Sequence, residues 1–135
     1  MKVILLTIAF CLFCFKSRGQ NDLQEKSLWA FTYLKSSDGQ KADLKLFLKK
    51  NWLAMDKLAI EQGLFKQYHL LENNDASLGW DFAVVVQYKD EKGYEGVKTE
   101  FEKIRQTHQR VLINGKGMAE LGKIVKSEEF LETLQ

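Results

Sequence analysis

The sequence predicts an α+β fold, a four-stranded antiparallel sheet with two helices on one face. Three observations predict it. Apolar residues alternate in four stretches and recur at three- and four-residue steps in two others. The stretches follow one another as strand, helix, strand, strand, helix, strand. The first and third strands are the most apolar, whereas Lys66, Lys123 and Lys126 fall in the second and fourth, and edge strands use such charges to discourage stray pairing.

"SLWAFTYLK" is the first strand, with Trp29, Phe31 and Tyr33 on one face and Leu28, Ala30, Thr32 and Leu34 on the other. "SSDGQ" breaks it. "ADLKLFLKKNWLAMDKLAIEQG" reads as one helix, because Leu44, Phe47, Leu48, Trp52, Met55, Leu58 and Ala59 share a face. Gly63 is its expected C-terminal cap. Leu46, Leu53 and Ile60 form a second apolar row, which the C-terminal tail or another subunit should cover. "LFKQYHLL" is the second strand, with Phe65, Gln67, His69 and Leu71 on one face. The polar "ENNDASLG" leads to "WDFAVVVQYKD", the third strand. There Trp80, Phe82, Val84, Val86 and Tyr88 oppose Asp81, Ala83, Val85 and Gln87. "GYEGVKTEFEKIRQTHQRVL" is the second helix, with Tyr94, Val97, Phe101, Ile104, His108 and Val111 on one stripe. Its Glu95, Glu100 and Glu102 alternate with Lys98, Lys103 and Arg105 as a solvated, ion-paired face. "INGKGMAELG" is a connection and "KIVKSEEF" the last strand. This order is the ferredoxin-like βαββαβ pattern. Its right-handed crossovers put the first and third strands at the centre of the sheet.

Ahead of these elements, residues 1–19 read as a secretory signal peptide. Lys2 precedes an apolar run of 13 residues, Val3 to Phe15, shorter than the roughly 20 needed to cross a bilayer. Ser17 and Gly19 are the small residues at the cut. Cleavage near Gly19 leaves a single domain, residues 20–135, that is periplasmic or secreted and has no stable membrane anchor. Cys11 and Cys14 each follow Phe, which disfavours lipid attachment. Losing Lys2, Lys16 and Arg18 leaves 17 basic against 18 acidic residues, a balance that offers nucleic acid no basic field. Both cysteines leave as well, and the chain has no His-x-x-x-His spacing, so neither a disulfide nor a structural metal site is expected. "NGKGM" lacks the Walker spacing and reads as a turn.

From "NWLAMDKLAIEQGLFKQYHLLEN", "WDFAVVVQY" and "KIRQTHQRVLINGKGMAELGKIVKSE", the chain resembles the ferredoxin-like dimeric α/β-barrel superfamily. That group includes antibiotic-biosynthesis-type and haem-degrading monooxygenases. The last segment resembles an uncharacterised exported bacterial branch of it. The resemblance implies a homodimer in which two sheets face each other, and it transfers no catalytic residue. The residues point the same way: with helices on one side only, the second apolar sheet face would be an exposed patch larger than monomers usually carry.

Six residues are candidates to line a ligand site: Gln67, His69, Asp81, Gln87, Tyr33 and His108. If strand register brings His69 to Asp81 and Gln87, a His–Asp pair beside two amides could orient a small polar group or act as a general base. A one-residue slip would separate them, leaving His69 an ordinary edge-strand side chain. His108 either lines a cavity between helix and sheet, where it could be an axial haem ligand, or caps its helix. The function expected is binding of a small, largely apolar molecule in a cavity between sheet and helices, with no cofactor required. The alternatives are a cofactor-free monooxygenase or isomerase, with an aromatic pocket around a proton-transferring His or Tyr, and a non-catalytic interaction module using the Leu46, Leu53, Ile60 row.

Overall fold

Each alternating stretch forms a strand of one sheet in the computed structural model, which describes residues 26–133. The expected signal segment, residues 1–19, lies outside the described residues. The strands are β1 (Leu28–Ser36), β2 (Phe65–Glu72), β3 (Phe82–Tyr88) and β4 (Gly122–Leu131). Their spatial order is β2-β3-β1-β4, with every neighbouring pair antiparallel. The apolar strands are central and the lysine-bearing ones are at the edges, compatible with a ferredoxin-like arrangement. β3 is buried along its whole length.

The two expected helices become three segments, α1 (Lys41–Lys50), α2 (Trp52–Glu61) and α3 (Lys98–Thr107), and a further short helix, α4 (Met118–Leu121), follows them. The first long helix is interrupted at Asn51, whose φ −113°, ψ −69° distorts the right-handed helical turn. Asn51 is buried, and its side chain serves one carbonyl a turn back and three groups that are distant in sequence. Nδ2 donates to the carbonyls of Phe47 (3.0 Å) and Val111 (2.9 Å). Oδ1 accepts from the Val111 amide (2.8 Å) and from His108 Nε2 (3.0 Å). Asn is a poor residue for a helix interior because it bonds backbone elsewhere, and here it does so. Beyond the break the buried positions are Asp56 and Ala59, and Leu58 is 40% exposed. The Leu46, Leu53, Ile60 row does not form one free face. Leu53 and Ile60 pack against the core, and only Leu46 is largely exposed. Gly63 follows α2 at φ +74°, the left-handed conformation that ends a helix most readily in glycine.

The second helix is also shorter than its pattern. A 3₁₀ turn over Gly93–Gly96 precedes α3, and the helix stops at Thr107 with His108 as its extended C-cap. Val111 therefore leaves the inward stripe and is exposed. Two of the expected ion pairs form, Lys103 with Glu100 at 3.0 Å and Arg105 with Glu102 at 3.2 Å. α4 lies inside the stretch expected to be a plain connection.

Side chains on the helix-bearing face of the sheet form two clusters. Leu34, Phe82 and Val84 pack under Leu44, Phe47 and Leu48 of α1 and Leu121 of α4. Leu28, Phe65, Val86 and Tyr88 pack under Ala59 of α2 and Phe101 and Ile104 of α3. Each fully buried side chain of this size stabilises by roughly 1.5–3 kcal/mol.

Two expected face assignments are corrected. β2 carries a bulge: Phe65 pairs with Tyr88, yet Gln67 pairs with the adjacent Gln87. The extra residue puts Phe65 on the helix side, against Phe101 at 5.3 Å, and leaves Gln67, His69 and Leu71 facing away. Trp80 precedes the β3 ladder and is not held by its alternation. It meets the Tyr33 ring edge-on at 5.0 Å, on the face opposite Phe82.

Candidate functional site

Small side chains on β1 make room beneath the helices. Where β1 turns Leu28 and Leu34 toward the core it is filled; where it turns Ala30 and Thr32 the space stays open. A cavity of about 480 Å³ lies there, between sheet and helices. Ala30, Thr32, Val84, Val86 and Tyr88 form its floor, with Phe65 from β2 beside them. Trp52, Met55 and Asp56 of α2 form one wall. Tyr94 of the 3₁₀ turn and Phe101 and Arg105 of α3 form another, and Ile124 of edge strand β4, 53% exposed, lies at its outer side. This volume lies in the range of small-molecule sites, and so does the mixture of apolar walls with few polar groups.

The polar groups differ in how well they are partnered. Tyr94 donates its hydroxyl to Glu102 Oε1 at 2.5 Å, and Arg105 binds the same carboxylate while lying over the Phe101 ring at 5.5 Å. The Tyr94 hydroxyl titrates above its usual range, mainly from burial and then from the bond to Glu102. Burial raises Tyr88 further, helped by the negative charge of Asp56. Asp56 is 6% exposed, and its Oδ2 has no hydrogen-bond partner among the described residues. Desolvation lifts its carboxyl from the ordinary 3.8 to about 7. Asp56 is the one carboxyl among the lining residues, which are otherwise mostly aromatic and aliphatic.

None of the six residues singled out from sequence lines this cavity. Gln67, His69, Gln87 and Tyr33 do share a face, the one turned away from the helices. The register sets Gln67 opposite Gln87, His69 opposite Val85 and Tyr33 opposite Ala83. His69 is exposed and contacts Gln67 Oε1 through Nε2 at 3.1 Å. It does not meet Asp81, which lies just ahead of β3, four residues before Val85, the residue opposite His69. Asp81 instead takes the Ser36 amide (2.8 Å) and hydroxyl (2.5 Å) on Oδ2 and Lys35 Nζ (3.2 Å) on Oδ1, fastening the end of β1. Burial pushes that carboxyl up, but the bonds from Ser36 and Lys35 outweigh it and hold it below the ordinary value. Tyr33 donates to Glu128 Oε2 at 3.1 Å. Gln87 Nε2 reaches Glu132 Oε2 at 3.0 Å. His108 donates from Nε2 to Asn51, so it caps α3 and fastens the break at Asn51. Tyr68, the neighbour of His69, turns to the helix side and packs on the second core cluster.

Asp56 was missed because it sits in a helix read for its apolar stripe. The signal was present, since Trp52, Asp56, Ala59 and Ile60 follow three- and four-residue spacing. Among the described residues no group of three or more His, Cys, Asp or Glu is placed to hold a metal ion, and no helix is long and apolar enough to cross a membrane. No family model, curated protein or solved structure matches the chain.

Proposed function

We propose that the protein binds a small, largely apolar molecule in the cavity between sheet and helices, and does so as an exported homodimer of the dimeric α/β-barrel type. The cavity carries the first part. Its floor is set by rigid central strands and its walls by aromatic side chains, so it would receive a ligand with little rearrangement. Filling it is the test. In Ala30→Phe the new ring would occupy the space above β1. A thermal-shift screen of apolar and aromatic compounds should raise the midpoint of the wild type by several degrees for at least one class, and by nothing for Ala30→Phe. If no compound stabilises the wild type, or the filled variant responds equally, the cavity is not the site.

Among the described residues nothing covers the face of the sheet turned away from the helices, and this supports the homodimer. Trp29, Phe31, Tyr33 and Phe130 lie on it, with Phe31 stacked beside Tyr33 at 6.2 Å and edge-on to Phe130 at 5.6 Å. Phe130 is 51% exposed, and burying such aromatics is the usual role of an interface core. Light scattering should give twice the chain mass for the wild type and a single chain for Phe31→Glu with its circular dichroism unchanged. A monomeric wild type, or a variant that stays dimeric, would exclude this face as the contact. The N-terminal sequence supports export with removal of residues 1–19, which is checked by the N-terminal residue of protein recovered outside the cytoplasm.

A further inference from the structure

We infer that the ligand of this cavity carries a protonated amine on an apolar body, and that Asp56 receives it. The inference rests on the cavity being a small-molecule site and names the chemistry that the site would select. A carboxyl that is 6% exposed, with one oxygen lacking any donor among the described residues, is costly to a fold unless something completes it. None of the donor-bearing residues in the lining, Thr32, Trp52, Tyr88, Tyr94 and Arg105, bonds that oxygen. Trp52 and Met55 are its neighbours on α2, and Phe65 and Tyr88 rise from the sheet. The charged and titratable groups that face this space are few. Tyr88 comes from β3 and Tyr94 from the 3₁₀ turn, with the Tyr94 hydroxyl already given to Glu102. Arg105 comes from α3, its charge matched by the same Glu102. Glu129 of β4 is close enough to act on Tyr88. No lysine lines the cavity, and the one arginine is already paired.

An ammonium group fits this arrangement better than a neutral donor does. It supplies three N–H donors and the opposite charge to a carboxylate in a medium where both count for more than in water. Trp52, Phe65 and Tyr88 put aromatic rings among the lining residues, and a cation is attracted to the face of such a ring. The remainder of the lining requires the rest of the molecule to be apolar. A neutral alcohol of the same shape would recover one hydrogen bond and none of the charge.

The test compares 2-naphthylmethylamine with 2-naphthylmethanol by isothermal titration calorimetry on the full mature chain. At pH 8 the amine should bind the wild type at least tenfold more tightly than the alcohol. In Asp56→Asn the two should bind within about twofold of each other. Moving the wild type to pH 5.5, where Asp56 is protonated and the amine stays charged, should weaken the amine by up to about 30-fold and leave the alcohol unchanged. Should both probes bind the wild type equally, the amine assignment is overturned while the apolar site stands. Should neither bind, both readings fall. The comparison of the two probes on the wild type decides the matter even if the variant folds poorly.

Discussion

Replacing Asn51 by Leu is expected to lower the folding free energy by about 3 kcal/mol, although the new side chain has nearly the same volume. The residue is 2% exposed and makes four hydrogen bonds through its side chain. Leucine would leave the Val111 amide and carbonyl, whose bonds to Asn51 are part-buried, without their partner. It would also free His108 from the end of α3. The loss is therefore larger than that of one exposed bond, which is typically about 1 kcal/mol. In urea titration the midpoint should fall by about 1.5 M at an unchanged slope. Asn51→Asp is a sharper control: it keeps the acceptor for Val111 and His108 but turns a carboxylate oxygen toward the carbonyls of Phe47 and Val111. It should cost as much as leucine at neutral pH and less in acid, where a protonated carboxyl can again donate. If Asn51→Leu unfolds at the wild-type urea concentration, the α1–α2 break is not held by this side chain.

Asn51 also shows which parts of the fold were legible. Strand alternation and helical spacing each repeat over many residues, so β1, β3 and the apolar stripe of α1 could be read directly. The lysines marked the edge strands for an equally physical reason, since an unpaired edge invites aggregation unless charged. What escaped was set by single residues. The bulge next to Lys66 inserts one residue into a β ladder and turns Phe65 to the core. Nothing in "LFKQYHLL" distinguishes that from simple alternation, because the partner strand decides it. The break at Asn51 did leave a sign, a helix-disfavoured amide in the middle of a long apolar pattern, but its partners Val111 and His108 are 57 to 60 residues away.

The candidate site was less legible than the fold. Histidines attract notice because their chemistry is versatile, yet His69 lies exposed on the outer face and His108 is a cap. The cavity depends on what is small. Ala30 and Thr32 leave a volume that bulkier residues at the same positions would fill, and an apolar–polar alternation does not record size. Its polar centre is an aspartate in a helix that looked apolar. Asp56 combines burial, a missing partner and a position on α2 facing β3, and all three are properties of the assembled fold.

Asp56→Asn is expected to make the protein more stable at pH 8 and to abolish a pH dependence that the wild type shows between pH 5 and 8. Folding raises the Asp56 carboxyl from 3.8 to about 7, so the folded state holds a proton that the unfolded chain releases. Stability contributed by that proton is fully present below about pH 4. It declines as pH rises through the window up to about 7, and is lost above it. The decline between pH 5 and pH 8 amounts to at most about 3 kcal/mol, because the cavity admits some water that eases the charged form. For a domain of this size it corresponds to a thermal midpoint lower by roughly 10 °C at the alkaline end. The groups held below their ordinary values, Glu72, Asp75, Asp81 and Glu128, act in the opposite sense and in another window. Their contribution is intact above about pH 5 and fails as acid protonates them. The two trends separate cleanly in a series of thermal melts from pH 3 to 8. The asparagine variant should follow the wild type on the acid side and run level on the other. A wild-type midpoint that does not fall between pH 5 and 8 would mean that the carboxyl is ionised and satisfied in the folded protein. An amine in the cavity would then have nothing left to complete.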